Sequence, residues 1–228
     1  MTNRVVDVDD LVQIRNAIVS VADKRGLADL ARALIATCPG VTLYSTGGTF
    51  SYLEDALGAS RRTQLESISD YTGQPEMQGG LVKTLDFKIY LGLLSETYNE
   101  AHTADLKRAG ALTFDLVVSN LYPFEETVAN AGASIEDARA NIDIGGVTLL
   151  RAAAKNFIRV AVVSDPADYP ELAAELAQNE GRLSLQRRFR LAQKAFARTA
   201  SYDAAVAGHL QSRTPSEARG AYSLHGER

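Results

Sequence analysis

Short apolar, β-branched segments alternate with longer amphipathic segments along most of the chain, a pattern typical of a parallel sheet wrapped by helices. The predicted strands lie at residues 17–21, 41–44, 64–68, 114–119 and 159–164. The last two are continuous apolar runs, as expected for strands buried on both faces. We therefore predict an α/β fold with a mainly parallel, twisted sheet flanked by helices.

Apolar residues recur at helical spacing between these strands and again near the end of the chain. The predicted helices include residues 27–36, 49–57 and 184–209. The pair Asp165–Pro166 predicts the start of a further helix, because an aspartate side chain can cap a helix N-terminus and proline fits the first helical position. From Ser212 onward apolar residues are few. We expect one domain over residues 1–211, ending in a helical region, and a frayed tail over residues 212–228.

Composition narrows the functional classes. Of 228 residues, 46% are hydrophobic and 23% charged, which is ordinary for a globular protein, and the net charge of −4 argues against nucleic-acid binding as the main activity. The single Cys38 allows no intrachain disulfide, and the three histidines show no metal-ligand spacing. No apolar run approaches the roughly 18 residues that cross a membrane. We expect a cytoplasmic protein with neither a membrane nor a nucleic-acid partner.

Two strand-to-helix turns near the start have the composition of phosphate-binding turns. The first strand leads into ADKRG and the second into STGGT. Ligands of open α/β sheets gather at the carboxyl ends of strands, where helix N-termini present free N–H groups and small residues allow close approach. Lys24 adds a positive charge. The alternative is that the glycines merely cap a helix.

Two later positions could move protons. Lys83 lies near the end of a turn-rich segment, residues 70–85, between apolar residues, where it could act as a base or an acid. Tyr122 directly follows a strand, and Pro123 would fix the turn that holds its hydroxyl. The alternatives are a surface lysine whose stem covers apolar area and a tyrosine that packs with its hydroxyl in water.

The segment NIDIGGVTLLRAAAKN, residues 141–156, combines an acidic residue, paired glycines and a small, apolar helix. Glycines at a helix start leave N–H groups accessible to a ligand. Arg151 and Lys155 share a helical face, which suits an anion lying between them. A capped helix with two solvated basic residues is the alternative.

These segments together resemble the IMP cyclohydrolase domain of the bifunctional enzyme family that also has AICAR transformylase activity. The motifs run in family order over residues 18–210 and read SVADKRG, STGGT, SDYTGQPEM, VKTL, NLYPF, NIDIGGVTLLRAAAKN and RFRLAQKAFARTASYDAAVA. The resemblance implies a methylglyoxal synthase-like fold and a homodimer. It does not extend to the transformylase domain, so a separate AICAR transformylase is a possible partner.

The resemblance also implies a reaction. In this family the substrate is a purine nucleotide precursor, 5-formamido-imidazole-4-carboxamide ribotide, whose carboxamide nitrogen attacks the formyl carbon before water is lost to give IMP. No redox or metal step is involved, so no cofactor is expected. By motif match, Lys83 and Tyr122 act on the formyl side, and Asp143 and Lys155 bind the carboxamide. The positions implied to contact substrate are Ser20, Lys24, Thr46, Gly47, Gly48, Thr49, Thr84, Asn120, Ile144 and Gly145.

Two features qualify this interpretation. Asp143 and Lys155 would lie about 18 Å apart along one straight helix, so they share a substrate only if the helix is shorter or bent, or if they serve different sites across a dimer. Leu81, Asp86 and Phe87 replace the Arg, His and Pro usual in the family. The competing hypothesis is a non-catalytic nucleotide-binding module on the same fold. A methylglyoxal synthase would leave NLYPF and NIDIGG unexplained.

Overall fold

The computed structural model describes residues 4–58, 63–75, 83–130 and 132–226, and a parallel sheet lies at its centre. Its strands run in the order β4-β3-β2-β5-β6. A separate antiparallel pair joins β1 to β7. The strands are β1 (Leu11–Gln13), β2 (Asn16–Val21), β3 (Thr42–Ser45), β4 (Leu65–Ser67), β5 (Leu116–Asn120), β6 (Ala161–Val163) and β7 (Arg182–Ser184).

All five strands predicted from apolar runs are present in the sheet, each within two residues of its expected start. All neighbouring strands of the sheet are parallel, so their carboxyl ends lie at one edge. The predicted α/β architecture is therefore confirmed. The β1–β7 pair was not predicted, because three-residue strands carry too little pattern to be recognised.

Helices cover both faces of the sheet. They are α1 (Leu27–Thr37), α2 (Gly47–Leu57), α3 (Ile68–Thr72), α4 (Phe87–Leu94), α5 (Glu100–Ala109), α6 (Phe124–Ala129), α7 (Ile135–Ala140), α8 (Gly145–Lys155), α9 (Tyr169–Gln178), α10 (Leu185–Gln211) and α11 (Pro215–Gly220). One buried cluster joins α1, α2 and α9 to one face. A second joins α4, α8 and α10 to the other. The predicted helix start at Asp165 is also found, since its carboxylate accepts from the Ala167 N–H at 2.9 Å.

A buried ion pair supports the sheet beneath the site. Arg159 Nη1 lies 3.2 Å from Asp115 Oδ1, and Asp115 Oδ2 accepts from the backbone N–H groups of Arg15 and Asn16. Burial raises the pKa of Asp115 and lowers that of Arg159. Because both groups are nearly covered, each depends on the other to offset its lost hydration.

The C-terminal segment is not simply frayed, as the sequence had suggested. Residues of α11 form a helix with a capping box between Thr214 and Glu217, and the Tyr222 hydroxyl donates to Glu136 at 2.8 Å. A local cap and one surface contact are enough to order a segment that lacks an apolar face. Within the described ranges, none of the helices is both long and apolar enough to span a bilayer.

Candidate functional site

A cavity of about 1260 Å³ opens at the carboxyl edge of the sheet. This is slightly larger than most small-molecule sites, which measure roughly 300–1,000 Å³. Most of the positions predicted to bind or transform a substrate line it: Ser20, Lys24, Thr46, Gly48, Thr49, Lys83, Thr84, Asn120, Tyr122, Asp143, Ile144 and Gly145. Gly47 and Lys155 are not among the lining residues. Residues 76–82, including Leu81, lie outside the described part of the chain.

The turn after β2 is held by Asn120, at the end of β5. Its side-chain oxygen accepts from the N–H groups of Ala22 and Asp23, both at 2.8 Å, and its amide donates to the Asp23 carbonyl at 2.8 Å. These bonds use most of the hydrogen-bonding capacity of the Asn120 amide. Asn120 lines the cavity as predicted, and the geometry also makes it the residue that shapes the loop bearing Lys24.

Helix α2 begins at the same edge and points its N-terminus toward the cavity. Thr46 is the N-cap by backbone conformation, but its side chain does not cap the helix. Thr49 ties the helix to the neighbouring strand, since its hydroxyl accepts from the Val21 N–H at 3.2 Å and donates to the Val21 carbonyl at 3.1 Å. Gly47 has a φ of 46°, a conformation that glycine adopts without strain. A helix N-terminus beside a lysine suits a phosphate group.

The paired glycines of α8 allow Asp143 to lie against the start of that helix. Asp143 Oδ1 accepts from the Gly146 N–H at 2.8 Å. A Cβ at Gly146 would lie 2.6 Å from Asp143 Oδ2, and one at Gly145 would lie 3.1 Å from the Thr84 hydroxyl. Only glycine therefore leaves room for the carboxylate in this position.

Burial raises the pKa of Asp143, although backbone hydrogen bonds from Gly146 and Tyr122 partly oppose the shift. The N-terminal end of α8 also favours the ionised form. A half-buried carboxylate with a raised pKa, inside a cleft, is a candidate for proton transfer or for binding an amide N–H.

Tyr202, on α10, fixes the backbone of Asp143. Its buried phenol oxygen accepts from the Asp143 N–H at 2.7 Å and donates to the Asn141 carbonyl at 3.3 Å. The sequence interpretation included Tyr202 only as part of a matching motif and assigned it no role.

Tyr122 and Lys83 also line the cavity. The Phe124 N–H donates to the Tyr122 carbonyl at 2.8 Å, and Pro123 between them has φ −77° and ψ 71°. This is an inverse γ-turn, so proline does fix the turn as predicted. The Tyr122 side chain is 56% exposed and lies at the cavity rim. Lys83 is half-buried.

Lys155 lies at the opposite end of α8 from Asp143. It is exposed, and the helix is continuous over Gly145–Lys155, which is about 16 Å of rise. Arg151 is also exposed, and its guanidinium lies 5.6 Å from the centre of the Phe196 ring. Neither cation is among the residues that line the cavity. The helix is neither short nor bent enough to bring Lys155 to Asp143.

Part of the cavity wall was not predicted. Ser119 and Ser164 lie at the ends of β5 and β6, and Lys194 and Arg198 reach the cavity from α10. Lys194 pairs with the Asp168 carboxylate, and Arg198 lies 3.5 Å from Glu125. The i, i+4 spacing of the two cations on a predicted helix was the available signal, but the sequence does not show which way that helix faces.

The cavity thus brings together a basic turn and a helix N-terminus with a lysine, a phenol and a carboxylate. The first group can hold a phosphate, and the second can bind polar substituents and transfer protons. Within the described residues, no cluster of three or more His, Cys, Asp or Glu side chains is arranged to hold a metal ion.

Comparison with known proteins agrees with this architecture. The model of the MGS-like domain matches residues 26–148, more than half of the chain, and that of the AICARFT/IMPCHase bienzyme matches residues 153–228. The chain is 45% identical over 199 residues to the bifunctional purine biosynthesis protein PurH of Neisseria meningitidis serogroup C, and 47% identical over 218 residues to PurH of Ruegeria pomeroyi. These matches cover 87% and 96% of this chain.

The chain spans only 36% and 40% of the lengths of those two relatives. A solved crystal structure of ForH is similar over nearly its whole length, with a TM-score of 0.69 and 34% identity covering 85% of this chain and 97% of that one. The expected family and fold are both confirmed. On the strength of its sequence matches and its parallel sheet, the chain belongs to the family of the IMP cyclohydrolase domain of the bifunctional AICAR transformylase/IMP cyclohydrolase enzymes, with a methylglyoxal synthase-like fold.

Proposed function

We propose that this chain is an IMP cyclohydrolase of de novo purine biosynthesis, which converts 5-formamido-imidazole-4-carboxamide ribotide to IMP and water. The observation that carries the proposal is that Lys83, Tyr122 and Asp143 line the same cavity as the basic turn and the N-terminus of α2. The PurH relatives are bifunctional purine biosynthesis proteins, which supports a role in the same pathway.

The proposed substrate lies with its phosphate near Lys24 and the N-terminus of α2, and its imidazole substituents toward Asp143. The carboxamide nitrogen forms a bond to the formyl carbon, the nitrogen loses a proton, and the formyl oxygen gains one. Asp143 accepts a hydrogen bond from the carboxamide N–H, which orients the nucleophile. Both reacting groups belong to one ring, so fixing their rotation supplies much of the rate advantage.

The second step removes water from the carbinolamine. Lys83 and Tyr122 are the proposed groups that protonate the formyl oxygen and then the departing hydroxyl. As the C–O bond breaks and the C=N bond forms, the former formamide nitrogen gives up its proton to the same groups. The Tyr122 phenol and the half-buried Lys83 both line the cavity, which supports these roles. No cofactor has a role in this scheme.

Lys155 requires a second copy of the chain to take part. We propose that the protein acts as a homodimer in which Lys155 of one chain completes the site that contains Asp143 of the other. A separate AICAR transformylase activity would supply the formylated substrate. A cytoplasmic location remains a prediction from the sequence.

The competing function is a non-catalytic purine-nucleotide-binding module. Two observations favour it: Lys155 is remote from the cavity in a single chain, and the Tyr122 side chain is largely exposed. Both functions require nucleotide binding, so binding alone does not distinguish them.

An absorbance assay with the purified protein and the formylated ribotide separates the two. We expect turnover above the uncatalysed rate, and Lys83→Ala should lower kcat by about 10²-fold or more, since a positioned acid or base contributes about that much. The exposed Lys107, on α5, provides a control whose replacement by alanine should leave the rate unchanged. Bound IMP without turnover would establish the binding module instead.

A further inference from the structure

Four hydroxyl side chains lie side by side across the carboxyl edge of the sheet. Ser20 of β2 is the register partner of Ser119 of β5. Thr46 and Ser164 each follow by one residue the last paired positions of β3 and β6, Ser45 and Val163. Continuing the register places the hydroxyls in the order Thr46, Ser20, Ser119, Ser164, and all four residues line the cavity.

The hydroxyl row points to one face of the sheet. Side chains alternate along a strand, so Ser20 and Ser119 share the face of Ile18 and Val117, while Thr46 and Ser164 share that of Tyr44 and Val162. Those four apolar residues all belong to the buried cluster beneath α4, α8 and α10. The row is therefore a polar strip at the end of an apolar face, on the side from which Asp143 approaches.

Ser119 is the unusual member of the row. Its side chain is 1% exposed, and its hydroxyl has no hydrogen-bond partner among the described residues. Ser45, on β3, is equally buried at 0%, but its hydroxyl donates to the Val19 carbonyl at 2.7 Å and it does not line the cavity. A buried polar group without a partner costs free energy, so a position of this kind at the floor of a cavity points to a ligand atom.

The spacing of the row indicates which part of a nucleotide Ser119 would meet. Adjacent strands lie about 4.8 Å apart, and Ser119 is two strands away from Thr46. Ser119 is therefore about 10 Å from Thr46 and from the N-terminus of α2, where the phosphate is proposed to bind. A ligand anchored there by its phosphate and lying along the row would place its ribose over Ser20 and its heterocycle over Ser119. Rotation about χ1 is sufficient to turn the serine hydroxyl toward it.

We propose that Ser119 is a specificity-determining residue that hydrogen-bonds the heterocycle end of the bound purine nucleotide. This inference rests on the nucleotide ligand of the proposed function. A hydroxyl both donates and accepts, so it suits a carbonyl oxygen or a ring nitrogen of the base. Ser164, one strand farther from the phosphate end, continues the polar surface toward Arg198.

The test compares two ligands in Ser119→Ala: IMP and ribose 5-phosphate, which lacks the base. Calorimetric titration should show IMP binding weakened about threefold to tenfold, the usual range for one hydrogen bond, with ribose 5-phosphate unaffected. Thermal unfolding of this variant should be unchanged or slightly higher, because the hydroxyl it removes has no protein partner.

Ser45→Ala is the matched control. It removes an equally buried serine hydroxyl that is bonded within the protein, so its midpoint of thermal unfolding should fall by about 2–4 °C. Ser45 adjoins the turn proposed to bind phosphate, which both ligands carry, so any change in affinity should be the same for IMP and ribose 5-phosphate. Equal losses for the two ligands in Ser119→Ala, or no loss for either, would overturn the assignment.

The experiments distinguish failure of the Ser119 proposal from failure of the proposed cyclohydrolase function. If the wild type closes the ring but Ser119→Ala binds IMP normally, only the role of Ser119 fails. If Ser119→Ala discriminates between the ligands but the wild type shows no turnover, only the catalytic proposal fails. A wild type that binds neither ligand would overturn both.

Discussion

The phenol of Tyr202 accepts the backbone N–H of Asp143 at 2.7 Å, which joins the long C-terminal helix to the carboxylate of the candidate site. The same hydroxyl donates to the Asn141 carbonyl at 3.3 Å. Both bonds lie beside the glycine pair that begins α8. Tyr202 therefore sets the path of the chain from which the Asp143 side chain enters the cavity.

Replacing Tyr202 by phenylalanine should lower kcat by about tenfold with a smaller change in KM, because the ring still packs but Asp143 loses its backbone anchor. The acidic limb of the pH–rate profile should shift as well, which a purely structural role would not produce. Tyr222→Phe removes a hydroxyl bond on the surface and should change neither quantity. An unaltered rate and profile in Tyr202→Phe would show that the anchor is dispensable.

Gly146→Ala should separate helix stability from activity. Alanine is favoured over glycine in a helix by about 0.5–1 kcal/mol, but here its Cβ would lie 2.6 Å from Asp143 Oδ2 and displace the carboxylate. We expect kcat to fall by about tenfold or more without a matching decrease in the free energy of unfolding. Gly208→Ala in α10 is the control, since nothing lies within 4 Å of its added Cβ. Steady-state kinetics and urea unfolding of both variants measure the difference.

The raised pKa of Asp143 makes two pH predictions. The ionised carboxylate is the proposed active form, so kcat/KM should rise with pH along a limb centred above about 3.9, the value for an unperturbed aspartate. The folded protein also keeps this proton to a higher pH than the unfolded chain does. Stability from this group is therefore present at low pH and falls as pH rises from about 3.9 through the folded-state pKa.

Asp143→Asn tests whether the Asp143 carboxylate causes this loss of stability as pH rises. The amide oxygen can still accept from the Gly146 N–H, but the side chain no longer titrates. Urea unfolding across this pH range should show a smaller decline in stability than in the wild type, and activity should fall by about 10²-fold or more. A variant less stable than the wild type at neutral pH would contradict the view that the buried carboxylate is a cost to folding.

The position of Lys155 predicts a complementation experiment. If each site takes Lys83 from one chain and Lys155 from its partner, Lys83→Ala and Lys155→Ala should each be nearly inactive alone. A mixed dimer has one intact site, and half of the dimers in an equal mixture are mixed, so about a quarter of wild-type activity should return. The mixture must be refolded together so that chains exchange. No recovery, with dimers present, would exclude a shared site.

Local pattern alone was enough to predict the five strands of the central sheet and helices α1, α2 and α10. The runs around Val117 and Val162 are apolar throughout because both faces of those strands are covered, and that burial is recorded in the composition of the segment itself. The turn bearing Lys24 could be placed near Tyr122 for a related reason, since both follow strands and the carboxyl ends of parallel strands share one edge.

Other parts of the site depend on relationships that no single segment contains. Ser119 and Ser164 become neighbours only through the register of β5 with β6, and Tyr202 meets Asp143 only because α10 packs across α8. Lys155 was predicted at the site from its motif, yet it lies at the C-terminal end of α8, while Asp143 lies just before the N-terminal end of that helix.

The sequence thus determined the five strands of the central sheet, the longer helices and the chemistry available at strand ends, because periodicity and turn composition are local properties of the chain. The tertiary structure decided which of those groups meet, because strand register and helix orientation arise from burial summed over distant segments. That packing also fixes the direction of each side chain, so only the tertiary structure shows which residues line the cavity.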